Sequence, residues 1–152
     1  MFRGINSVNM DAKGRLVLPA RHRETVQSHS AGLLVITIDT RERCLLLYPL
    51  PEWDQVQNRL VSLSNLNKSA RRLQRLLIGH ATDVEMDANG RVLVAPMLRE
   101  FATLAKKLVL VGQGNKIEIW SDEIWQARLS EWLQERASEV LDNGDDFTGL
   151  SV

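Results

Sequence analysis

The pentapeptide DAKGR at residues 11–15 returns as DANGR at residues 87–91. Extended toward the N-terminus, VNMDAKGR (8–15) and VEMDANGR (84–91) agree at six of eight positions, at an offset of 76. The correspondence then continues more loosely. LVLPARHRE (16–24) is answered by VLVAPMLRE (92–100), LLVITI (33–38) by KLVLVG (107–112), and LLLYPLPEW (45–53) by IEIWSDEIW (117–125). Tyr48 and Trp53 fall on Trp120 and Trp125 at an offset of 72, so the second copy is four residues shorter in its middle. The chain is a tandem duplication.

Each copy reads as strand, turn, strand, short helix, strand, turn, strand. Val8 and Met10 alternate with polar neighbours, and Leu16 and Leu18 resume the alternation after the turn. Pro19 stops that strand and suits the first turn of a helix over 20–27, which Gly32 ends. A second hairpin forms around DTRER (39–43), with GQGN (112–115) as its counterpart. A unit of roughly 45 residues is too small to bury an adequate core alone. Two such units are therefore expected to share one core about a pseudo-two-fold axis, in an α+β fold. A closed or interleaved β-barrel is expected, because closure removes exposed strand edges.

Between the copies, Pro51 opens a helix with Trp53, Val56, Leu60 and Leu63 on one face. A second linker helix, SARRLQRLLIGH (69–80), takes Asn67 or Ser69 as N-cap and has Gly79 near its end. Residues 121–141 read as an amphipathic helix with Ile124, Leu129, Trp132 and Val140 as apolar positions, and 142–152 as a disordered tail. The expected division is repeat one over 1–53, a helical linker over 54–80, repeat two over 81–125, and a C-terminal helix with acidic tail over 126–152.

The 152 residues are 44% hydrophobic and 25% charged, in the range of soluble globular proteins. No apolar run approaches the ~18 residues that span a bilayer, and the first residues lack a signal-peptide pattern. Cys44 is the only cysteine, and its apolar surroundings predict a buried, inert thiol in a reducing, cytoplasmic compartment. The zero net charge hides an asymmetry. Residues 1–120 carry 17 Lys and Arg against 11 Asp and Glu, whereas 121–152 carry 2 against 8. A basic body with an acidic end points toward nucleic acid.

In D-x-x-G-R the aspartate can bond backbone N–H groups further along the turn, and the glycine can take positive φ without steric cost. Asp11, Gly14, Asp87 and Gly90 are thereby assigned to the turns. The turn itself does not require the arginines. Arg15 and Arg91 could clamp the turn through an Asp–Arg pair, or offer a rigid fork of donors to phosphate oxygens or a guanine edge. With Arg3 and Lys13 they would make one basic β-surface, and strands can enter a DNA groove. Lys68, Arg71, Arg72 and Arg75 cluster on the second linker helix, opposite Leu66, Leu73, Leu76 and Leu77. This helical pair superficially resembles a helix-turn-helix, but a solvated basic face is the stronger reading.

No cofactor or metal is expected. His22, His29 and His80 lack ligand spacing, GQGN sits between two strands, and DNGDDFTG (142–149) lacks the terminal glutamate of a calcium loop. Neither a nucleophilic triad nor a carboxylate pair stands out, so an enzyme is not expected.

Taken together, the double D-x-x-G-R, the start MFRG, LLLYPLPEW and RRLQRLLIGHA (71–81) resemble the MraZ proteins of bacteria over residues 1 to 125. The resemblance implies a tandem AbrB-like swapped-hairpin β-barrel and a transcriptional repressor of its own promoter and of the division and cell-wall gene cluster. It further implies binding to direct repeats in double-stranded DNA as a closed homo-oligomeric ring, associated with the nucleoid. Neither a membrane nor a small-molecule ligand is implied. The family's signature falls on Asp11 and Arg15, and on Asp87 and Arg91, with the arginines as DNA contacts. Lys13 in the first copy is matched by Asn89 in the second, so the second surface is one charge poorer. A ring-forming scaffold whose basic hairpins meet acidic partners is the alternative.

Overall fold

A computed structural model describes residues 1–138. In chain order it contains β1 (Phe2–Asn9), β2 (Arg15–Val17), α1 (Ala20–Ser30), β3 (Leu33–Ile38), β4 (Leu45–Pro49) and α2 (Leu50–Val61). Then follow α3 (Lys68–Leu73), β5 (Thr82–Glu85), β6 (Arg91–Leu93), α4 (Pro96–Phe101), β7 (Lys107–Gly114), β8 (Ile117–Ser121) and α5 (Asp122–Ser138). The fold is α+β. Six strands form an antiparallel sheet in the order β1-β7-β8-β4-β3-β5, and β2 and β6 form a separate two-stranded ribbon.

Exchanging the two repeats turns that strand order into its own reverse. Leu46 faces Glu118 at the centre of β4–β8, and Leu16 faces Val92 at the centre of the ribbon. Each of those pairs joins equivalent positions of the two repeats, so one pseudo-two-fold axis relates both ladders. In the main sheet β1 pairs with β7 of the other repeat, and β5 pairs with β3. Neither repeat completes its own sheet. Gly112 shows how close β1 and β7 lie, since a Cβ built there would stand 2.4 Å from the Arg3 nitrogen.

The expected closure into a barrel is not found: β1 and β5 are the two edges of the main sheet. The edges are blunted by other means. β5 is only four residues long and carries Asp83 and Glu85 on its exposed positions, while β1 is largely polar along its exposed side. Short and charged edges resist adding further strands.

Alternation along the strands divides the core. One sheet face carries Leu34, Ile36, Leu45, Leu47, Leu110 and Ile119, which pack on Leu16, Leu18, Val92 and Val94 of the ribbon strands and their continuations, and on Val26 of α1 and Leu98 of α4. The other face carries Val35, Leu46 and Tyr48 under α2 and α3, and Val109 and Trp120 under α5. The duplication is visible in the aromatic pairs: Tyr48 meets Trp53 at 5.6 Å between ring centroids, and Trp120 meets Trp125 at 5.4 Å. Trp132 of α5 joins the second pair at 5.8 Å from each ring.

Both linker helices form, but α2 ends at Val61, so Leu63 falls beyond its apolar face and is 39% exposed. Asn67 caps α3: its Oδ1 accepts from the N–H groups of Ser69 (2.8 Å) and Ala70 (3.1 Å). α3 continues as one π-helical turn over Gln74–Ile78, and Gly79 closes it where a Cβ would stand 2.1 Å from the Arg75 carbonyl oxygen. Leu73 and Leu77 pack on the sheet, but Leu66 is 96% exposed. It precedes the cap and so does not share the helix face assigned to it from spacing. In α5, Ile124, Leu129 and Trp132 pack inward as expected, whereas Val140 and the tail lie outside the described residues. Among the described residues, no helix is long and apolar enough to cross a membrane.

Trp120 is fully buried and its indole N–H donates to Glu118 at 2.9 Å. Trp120→Ala is expected to cost about 3–5 kcal/mol of stability, read from the urea midpoint at unchanged m-value.

Candidate nucleic-acid interface

Both D-x-x-G-R turns fold by the same bonds. Asp11 Oδ1 accepts the N–H groups of Lys13 (3.0 Å) and Arg15 (2.9 Å), and its backbone oxygen accepts the Gly14 N–H (3.0 Å). In the second copy Asp87 Oδ1 accepts from Asn89 (2.9 Å) and Arg91 (2.8 Å), and its backbone oxygen from Gly90 (3.0 Å). Gly14 and Gly90 adopt φ of +87° and +78°, the left-handed region where a side chain is strained. In both turns the aspartate accepts the backbone bonds and the glycine supplies the positive φ.

The arginines serve the turn and leave a free end. Arg15 Nε donates to Asp11 Oδ2 at 2.9 Å, and Arg91 Nε to Asp87 Oδ2 at 2.7 Å. The terminal amino groups of both make no hydrogen bond among the described residues, and each side chain remains about a third exposed, 31% for Arg15 and 37% for Arg91. The carboxyls of Asp11 and Asp87 are held below the usual aspartate range, first by the N–H groups of Arg15 and Arg91 and then by their guanidinium groups. Each carboxylate is thus a fixed anchor, and its arginine is aimed by the Nε bond.

The ribbon places the two arginines together. Arg15 lies opposite Leu93, and Val17 opposite Arg91, so these four side chains share the outward face while Leu16 and Val92 face the core. Diagonal neighbours on such a face stand about 7–8 Å apart. Because the strands are antiparallel, the turns flank the ribbon at opposite ends. Each is tied to the other repeat: Leu18 N–H donates to the Gly90 oxygen, and Val94 N–H to the Gly14 oxygen, both at 2.9 Å.

Lys13 sits at the tip of the first turn with its side chain exposed, and Asn89 holds the equivalent place. Arg3 is not brought to this face. It lies at the far end of β1 from the turn, roughly 20 Å away along an extended strand, and its backbone oxygen accepts from Arg21 Nη2 at 2.7 Å. Lys68, Arg71, Arg72 and Arg75 are exposed on the helices that cover the opposite face of the main sheet. Residue types and spacing did not mark Arg23 and Arg99, which lie against Gly90 and Gly14 respectively. The signal was present in the duplication, since both stand in the shared Arg-Glu that ends LVLPARHRE and VLVAPMLRE.

One group of potential metal ligands converges among the described residues. Asp39, Cys44 and Glu118 place their ligand atoms within 4.8 Å of one another, with Cys44 Sγ 3.9 Å from Asp39 Oδ2. Burial pushes the Cys44 thiol far above its usual range and raises the Glu118 carboxyl. Asp39 also accepts the Glu42 N–H within the 39–43 turn, and Glu118 accepts the Trp120 indole N–H within β8. His22 is a core residue packed edge-on to Phe2 at 5.4 Å between centroids, and desolvation lowers its pKa so that it is neutral near pH 7.

The fold and the site define a duplicated α+β protein whose repeats jointly present an arginine-bearing ribbon. A family model described as "MraZ protein, putative antitoxin-like" matches residues 1–76 and again 77–147. The chain belongs to the MraZ family. It is 55% identical over 152 residues to the "Transcriptional regulator MraZ" of Halorhodospira halophila, covering all of both chains. It is 50% identical over 147 residues to the protein of that name from Coxiella burnetii (strain Dugway 5J108-111), covering 97% of this chain and 94% of the relative. For the Legionella pneumophila (strain Corby) protein of that name the identity is 52% over 138 residues, 91% of each chain.

Because the folded pKa values of Asp11 and Asp87 are depressed, their contribution to stability is present above the unfolded aspartate value, about 3.9, and is lost as pH falls through the folded values. The double substitution Asp11→Asn, Asp87→Asn is expected to lose stability at pH 7 and to show a shallower fall on acidification below about pH 4, followed by circular dichroism.

Proposed function

We propose that the chain is a sequence-specific, DNA-binding transcriptional repressor, and not an enzyme, that acts on its own promoter and on the division and cell-wall gene cluster. The observation that carries this reading is the pair of arginines on one outward ribbon face, each fixed through Nε and without a partner at Nη1 and Nη2 among the described residues. A free fork of this kind suits the O6 and N7 acceptors of guanine or a phosphate. A two-stranded ribbon fits a major groove about 12 Å wide. Val17 and Leu93, 46% and 50% exposed between the arginines, supply apolar surface suited to a thymine methyl. Lys13 adds a phosphate contact at the first turn, and Arg3 a more distant one.

The repeats are AbrB-like swapped-hairpin units, divided as 1–53 and 81–125 with a linker over 54–80 and an acidic C-terminal segment over 126–152. A single arginine–base contact discriminates by only ~1–3 kcal/mol. Assembly of the chain into a closed homo-oligomeric ring repeats the ribbon, and regularly spaced direct repeats in duplex DNA then gain avidity without a new type of contact. The chain acts in the cytoplasm, at the nucleoid. The relatives' name, transcriptional regulator, supports the reading, as does the excess of basic residues over 1–120.

Arg15→Ala is expected to abolish preference for the chain's own upstream repeats over random duplex while moving Tm by only a few degrees, since the Asp11 backbone bonds that shape the turn remain. The parent's affinity should fall steeply with salt. Equal affinity of the parent for random duplex would favour the scaffold reading, and a large stability loss in Arg15→Ala would reduce that arginine to a turn clamp.

A further inference from the structure

We propose that Arg23 and Arg99 are positioning residues that act across the duplication: Arg23 shapes the Asp87–Arg91 turn and Arg99 the Asp11–Arg15 turn, so that each repeat aims the other's arginine. The functional consequence rests on the DNA-binding reading above, whereas the cross-repeat contact itself does not.

A Cβ built on Gly90 would stand 2.1 Å from Arg23 Cδ and 3.0 Å from its Cγ. One built on Gly14 would stand 2.7 Å from Arg99 Cζ and 2.8 Å from its Nε. Each arginine therefore occupies the space that only a glycine leaves open, and the two contacts are equivalents under the pseudo-two-fold axis. The glycine requirement is double: positive φ at the turn, and room for a side chain from the other half of the chain.

The contact is steric in character. Nε of Arg23 and Nε of Arg99 are both buried and have no hydrogen-bond partner among the described residues. A buried donor left unpaired is destabilising in itself, so hydrogen bonding does not explain why these side chains lie there. They lie on the same glycines whose carbonyl oxygens accept the Leu18 and Val94 N–H groups. Each turn glycine is consequently held on two sides by the opposite repeat, while its own repeat supplies only the aspartate bonds. Gly90 immediately precedes Arg91 and Gly14 precedes Arg15, so a shift of that peptide re-aims the guanidinium. Recognition tolerates misplacement of only about 0.5 Å or 10–20°.

The test uses the full chain. Without DNA, amide hydrogen exchange of Arg23→Ala should rise about tenfold at Asn89, Gly90 and Arg91 and stay unchanged at Lys13, Gly14 and Arg15, with the reverse pattern in Arg99→Ala. Arg23→Met, which keeps an unbranched stem over Gly90, should restore most of the protection. With DNA at low salt, where weakened variants still bind, Arg23→Ala should be non-additive with Arg91→Ala and additive with Arg15→Ala. Loosening in the variant's own repeat, in both turns equally, or in neither would overturn the proposal. Additivity with Arg91→Ala would do so too, because it marks a direct contact to DNA. If the parent fails to bind duplex at all, the DNA-binding reading fails, and the exchange pattern still decides the cross-repeat contact.

Discussion

The structure depends on the register in which β2 meets β6. Leu16 and Val92 face each other at the centre of the ribbon, both fully buried against the main sheet. Side chains alternate with a period of two, so a slip of one residue would turn Leu16 and Val92 outward and Arg15 and Arg91 into the core. Burying two guanidinium groups without partners would cost far more than the ribbon's few backbone bonds return. The same pairing therefore fixes both the core and the face that presents the arginines. It also binds the repeats to each other, because each strand of the ribbon comes from a different one.

Around that register the turns build a graded restraint on each arginine. Backbone N–H groups fix the aspartate, the aspartate fixes Nε, and the opposite repeat fixes the glycine just before the arginine. The guanidinium is left with its outer edge free and little freedom to move. Long side chains on an open surface lose rotamer entropy when they bind a ligand. The Nε bonds of Arg15 and Arg91 to Asp11 and Asp87 restrict these rotamers before any contact, which lowers that ordering cost.

Much of this was legible in the amino-acid sequence. The doubled DAKGR and DANGR gave the pseudo-symmetry, the turns and the two arginines, and alternation with Pro19, Gly32 and Pro51 placed most elements. Interleaving of the repeats was among the expectations, but which strands pair was not readable in local pattern, because the apolar alternation of β1 is equally consistent with a partner in its own repeat. Closure into a barrel followed from the need to hide edges, but Asp83 and Glu85 on a four-residue β5 meet that need without closure. Leu66 was placed on a helix face by spacing, although the cap at Asn67 starts the helix after it. Arg3 is near Arg15 in sequence and distant in space, since an extended strand lies between them. Arg23 and Arg99 escaped notice for the opposite reason: their contacts are made only when the two repeats fold together.

The central claim is that the outward ribbon face, held by the interlocked repeats, is the surface that meets duplex DNA. Titrating the isotope-labelled chain with a duplex from its own upstream region, and following amide and arginine side-chain resonances, tests it directly. The account predicts the largest shifts at Arg15, Val17, Arg91, Leu93 and the Lys13 turn, with the Arg15 and Arg91 guanidinium signals most affected. Shifts concentrated instead on Lys68, Arg71, Arg72 and Arg75, with the ribbon silent, would contradict it.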